Sequence, residues 1–187
     1  SERARSDRVL ADLTERDSML EPPASPFPRT AEYIFKHNKE RETIAKRTPS
    51  HSLREYHRAI AEWLDDQHVV HQNEEYVLMV AEHKERGGDL AGAGLGYLEA
   101  GDIARARYAS SKASEHYERG LTLLAERHVA RRIDALHNAG DVLQLLGRTE
   151  DAEAQFRHML AWAYRLDQRG KGGAAHHRLR RPYRQTG

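Results

Sequence analysis

Twelve histidines in one chain make metal coordination and acid–base catalysis the first chemistries to consider. The tightest grouping, "DDQHVVHQNEE", sets His68 and His71 beside Glu74 and Glu75. Two histidines three apart can face one ion on a continuous helix, but this stretch falls at a helix end and fixes no third ligand. It reads as solvated. His176 and His177 are adjacent and so diverge on a helix. The chain has no cysteine, which removes thiolate metal sites, disulfides and cysteine nucleophiles together. No pair of carboxylates and no Ser/His/Asp order stands apart from the polar background, so catalysis has no anchor here. A phosphate-binding loop of the form G-x-x-x-x-G-K-[ST] is missing too. The nearest stretch, "GGDLAGAGLG", has no following lysine and reads as a helix turn leading into a close-packed helix face. We therefore expect no metal, no cofactor and no enzymatic activity in this chain.

Charge and hydropathy limit the partners. Charged residues make up 32% of the chain and nearly cancel, to +1, and a balanced surface of that kind is a poor general polyanion binder. The tail "HHRLRRPYR" gathers Arg178, Arg180, Arg181 and Arg184 around Tyr183, and is read as the solvated face of a helix rather than a phosphate site. No apolar run reaches the roughly 18 residues of a membrane span, and the opening "SERARSDRVLADL" lacks a signal-peptide core. A cytoplasmic location is expected. The chain opens without methionine, which suggests a piece of a longer protein.

The elements that position these residues fall into two regions, 1–50 and 51–187. The first has a short amphipathic segment with Val9, Leu10 and Leu13, then "SML", then a loop with Pro22, Pro23, Pro26 and Pro28, then "EYIFKH" in the β-branched and aromatic style of a strand. Strands are expected near 18–21 and 32–36, and the whole resembles the end of a winged-helix module with residues 22–31 as its wing. Beyond Pro49 helix formers take over. Leu53, Tyr56, Ile60, Trp63 and Leu64 form one apolar stripe at spacings of three and four. Trp63 and Trp162 are expected to pack, Trp162 beside Leu166. Gly88-Asp89 and Gly101-Asp102 each read as a glycine that ends one helix and an aspartate that caps the next.

A repeat then emerges. Small, aromatic and small residues recur as Ala93, Tyr97 and Ala100 and as Ala113, Tyr117 and Gly120, and Ala152, Phe156 and Met159 repeat the spacing with methionine in the last place. The second and third copies lie 39 residues apart and the first and second only 20. Preceded by a helix such as "ALHNAGDVLQLLG", the pattern resembles the tetratricopeptide repeat, which implies an all-α helical solenoid of about eight helices from residue 51. Its core is expected to run from Leu53 to Leu166. The closing "AAHHRLRRPYRQTG" reads as a further first helix without its partner, predicting either self-association through that C-terminal helix or disorder beyond about Gly170.

The order of "EYIFKH", "HRAIAEWL" and "YLEAGDIARARYA" is similar to the region that follows the ATPase core in bacterial STAND/AAA-type signalling proteins linked to adenylate/guanylate cyclase or kinase domains. The chain departs from that pattern at "KRTPSHS", where Pro49 interrupts a helix. The resemblance implies a non-catalytic interaction and regulatory module of a larger signalling ATPase, with a protein or peptide on the concave face of the repeats and an upstream nucleotide-binding domain as neighbour. It also implies that His37 in "FKH" reaches the phosphates of a nucleotide held by that domain; the alternative is a residue that ends a strand and caps the next helix. The rival function is nucleic-acid binding by a transcriptional regulator that uses the winged helix and the basic tail.

Overall fold

The computed structural model describes residues 10–15, 18–20, 33–67 and 73–165. The described chain is mostly helical, with one two-stranded sheet. Contacts divide it into two units, Ser1–Leu53 and Arg54–Gly187.

In the first unit, residues 10–15 are helical, and the Ser18 N–H returns to the Leu13 carbonyl at 3.0 Å. Strand β1 (Met19–Leu20) pairs antiparallel with β2 (Ile34–Phe35), with Met19 opposite Phe35 and Leu20 opposite Ile34. Period-two alternation puts Met19 inside and leaves Leu20 and Ile34 outside. Helix α1 (Asn38–Arg47) carries Glu40 in its first turn and Lys46 and Arg47 in its last, as the helix dipole favours. It ends where Thr48 turns extended ahead of Pro49, whose ring disfavours a helical residue before it. The proline-rich stretch read as a wing lies outside the described residues.

Helices α2 (Ser50–Gln67), α3 (Glu74–Gly87), α4 (Leu90–Ala106), α5 (Ser110–Leu123), α6 (Val129–Leu145) and α7 (Thr149–Arg165) follow. From α3 onward each packs on the next, and α4 also touches α6. Among the described residues these are the six helices of the about eight expected; the final stretch read as another helix lies outside the described residues. Small residues seat aromatics at the crossings. A Cβ on Gly101 would lie 2.8 Å from the Tyr117 ring, and one on Gly140 would run into the Phe156 ring. Each glycine is 16 residues ahead of its aromatic. Ala81 stands at the same distance before Tyr97 and shares a buried cluster with it and Ala93. Ala93, Ala113 and Ala152 are fully buried, as the repeat pattern requires.

Two expectations are corrected. Gly101-Asp102 is not a helix boundary: α4 runs through it without a break, and Gly101 is there to admit the Tyr117 ring. Gly88-Asp89 does behave as read, with Gly88 left-handed at φ 92° and the Asp89 carboxylate accepting from the Gly92 N–H at 2.9 Å. The stripe on α2 is not a core stripe either. Leu64 and Ala61 are buried, but Tyr56, Ile60 and Trp63 are 60%, 39% and 37% exposed. Within the second unit α2 meets α3 along the edge that carries His57, Ala61 and Leu64, so the rest of the stripe stays at the surface. From α3 onward the buried side chains group in clusters, and Leu121 packs against both the one around Tyr117 and the one around Ile133. Trp162 packs as expected, half-buried against Ile133 and Met159.

The turns differ in one respect. Gly88 and Gly147 hold left-handed conformations after α3 and α6, and after α4 the same role falls to Tyr108, at φ 61° and 90% exposed. A Cβ in that region costs about 1–2 kcal/mol. Replacing Tyr108 with glycine loses no packing, and part of the relief is offset by the greater freedom of glycine in the unfolded chain. Tyr108→Gly is expected to raise stability by about 0.5–1 kcal/mol in urea unfolding.

Candidate functional site

Helices α2, α3 and α4 enclose an open groove of about 340 Å³. Its floor is Val77 and Val80 from α3 and Leu95 from α4. Those helices approach closely because Gly96 faces Ala81, where a second Cβ would come within 2.9 Å. One rim is the Lys84–Asp65 ion pair at 2.8 Å, which ties α3 to α2. Glu99 stands exposed at the edge. Tyr76 fixes the α2 wall from below by donating its hydroxyl to the Leu64 carbonyl. Burial, and then the charge of Asp65, push the Tyr76 phenol above its usual range, so it keeps that proton. An apolar floor with a few charges at its edge suits an aliphatic anchor flanked by a charged residue.

Two carboxylates tie successive helices together. Glu85 accepts from the Tyr97 hydroxyl at 3.0 Å and from the Arg119 guanidinium, joining α3, α4 and α5. Asp102 accepts from Tyr117 at 2.6 Å, Arg131 at 2.7 Å and Asn138 at 3.1 Å, joining α4, α5 and α6. Burial raises the Tyr117 phenol furthest, and the Asp102 hydrogen bond and charge raise it further, so it remains a donor throughout the ordinary pH range. Arg132 caps the end of α5 through the carbonyls of Leu121, at 3.2 Å, and Leu124, while its guanidinium lies 5.3 Å from the centre of the Trp162 ring.

At the α2–α3 junction the Nδ1 atoms of His57 and His83 lie 3.1 Å apart. Desolvation lowers both pKa values; Arg86 adds to this at both rings, the His57 charge adds at His83, and Glu82 opposes at His83. The unfolded chain therefore takes up these protons at a higher pH than the folded one. The pair contributes its full stability above about pH 6.5 and loses it as pH falls through the lowered folded values. The urea midpoint is expected to drop between pH 7.5 and pH 5.5, and to drop less in the double variant His57→Asn/His83→Asn.

His37 sits between β2 and α1 as the residue before the helix. It occupies the N-cap position, as the capping alternative reads it: its carbonyl accepts from the Glu40 N–H at 3.1 Å, while its side chain is exposed and makes no capping hydrogen bond. Glu74 meets His116 of α5 at 3.4 Å and Arg107 at 3.9 Å. His68, His71, His176, His177 and the tail arginines lie outside the described residues. Among the described residues no group of three or more His, Asp or Glu is placed to hold a metal ion, and no helix is long and apolar enough to cross a membrane. The histidine pair escapes a reading by spacing, because its members are 26 residues apart on different helices. Glu85 and Asp102 look like any surface carboxylate until the tyrosines are placed against them. No protein-family model matches the chain, and no curated protein or solved structure matches it.

Proposed function

We propose that this chain is a non-catalytic interaction and regulatory module of a larger signalling ATPase, built as a tetratricopeptide-like solenoid behind a winged-helix-like piece of residues 1–50. The groove between α2, α3 and α4 carries the interaction reading, since its apolar floor is formed by Val77, Val80 and Leu95 and left open to solvent. Small residues set against aromatics 16 positions later, three times over, support the repeat reading. The occupant is a peptide segment with an aliphatic or aromatic anchor and a neighbouring basic residue for Glu99. Within the parent protein His37 faces the nucleotide-binding domain and donates to a phosphate; its exposed ring is free to do so.

Selection from a displayed peptide library tests the groove. Peptides pairing an apolar anchor with a basic flank are expected, and Leu95→Arg should weaken them at least about tenfold, because a buried cation displaces the anchor and repels the flank. Equal binding to that variant, or no selected peptide, refutes the groove. A phosphate-binding loop encoded upstream, with further repeats downstream, tests the parent protein. The nucleic-acid alternative predicts DNA affinity that falls steeply with salt.

A further inference from the structure

We propose that His57 and His83 form a two-histidine clip for a divalent transition-metal ion, fastening α2 to α3. The two Nδ1 atoms are 3.1 Å apart and the ring centres 4.9 Å apart, with the ring planes tilted by 60°. Imidazoles aimed head-on at that nitrogen separation would hold their centres about 5.4 Å apart, so the two rings do not meet head-on but are bent off the line that joins the nitrogens. A pair bent equally to one side by that amount directs its two lone pairs to a point about 2.0 Å from each nitrogen, the length of a zinc–imidazole bond, with an angle between the two bonds of about 100°. Without an ion, one ring donates and the other accepts across the same gap. With an ion, both present lone pairs and carry their protons on Nε2.

The surroundings suit moderate affinity. Both rings stay neutral near pH 7, which leaves their lone pairs available. Arg86 opposes a cation, and Glu82 offsets it. Imidazole donors favour zinc, nickel and copper over magnesium or calcium. Because α2 supplies Asp65 to the groove rim, an ion here would stiffen that wall. The test of binding stands whether or not the groove takes a peptide.

The probe is ZnCl₂ alone on the full 187-residue chain near pH 7.5, with MgCl₂ as control. About 1 mM Zn²⁺ is expected to raise Tm by at least about 3 °C, and Mg²⁺ to leave it unchanged. His57→Asn and His83→Asn place an amide near the lost Nδ1, and each should remove most of the rise while the other histidines remain. Ring ¹⁵N spectra of the unaltered chain should show His57 and His83 moving together to the Nε2–H tautomer with bound metal, a readout that does not depend on the variants folding. An equal rise in the variants would place the ion on other histidines and overturn the proposal. So would the absence of a rise, or ring signals unmoved by Zn²⁺.

Discussion

Phe156→Ala is expected to destabilise the chain by about 3–5 kcal/mol, the range for emptying a fully buried aromatic site. Phe156 is 1% exposed and lies against Gly140, Leu143 and Ala152. The helices around it are held apart by the ring itself, so its removal leaves a cavity that α6 and α7 cannot close without moving their other contacts. Phe156→Leu should cost much less. Urea unfolding followed by helical circular dichroism gives both numbers, and similar losses for the two variants would mean that the site collapses freely.

Gly101→Val carries the second large effect, expected at about 2–3 kcal/mol. On helix propensity alone the change is slightly favourable, because glycine is the worst residue but proline inside a helix. The clash decides the sign: the new Cβ would sit 2.8 Å from Cε1 and 2.9 Å from Cδ1 of Tyr117, which is fully buried and tied by its hydroxyl to Asp102. The ring cannot step aside without breaking that bond. In a double-mutant cycle with Tyr117→Ala, the cost of Gly101→Val should largely vanish. A cost that persists would locate the effect in the backbone of α4.

These two positions also mark how far the sequence could be read. The buried triads around Tyr97, Tyr117 and Phe156 were legible because three copies of one spacing leave little choice of face. Gly101-Asp102 was misread because a glycine–aspartate pair fits a helix boundary or a packing contact equally well, and only the ring of Tyr117 decides between them. A local cue did exist: Ala100 and Ala104 continue the buried face across Gly101, whereas Glu85 and Arg86 before Gly87 do not. On α2 the largest apolar residues misled, since Ala61, Leu64 and polar contacts to α3 make the junction while Tyr56 and Ile60 stay outside. The groove had no sequence signature, because it arises from the separation of three helices. Nor did the histidine pair, whose residues meet only when α2 and α3 are brought together.

The most direct test of the interaction reading is methyl chemical-shift mapping with a selected peptide bound to the full chain. Val77, Val80 and Leu95 are expected to shift together on titration while Ile133 and Val142, buried in the clusters of α6, stay in place. Shifts that spare all three groove residues, or that gather at α6 and α7 instead, would contradict it.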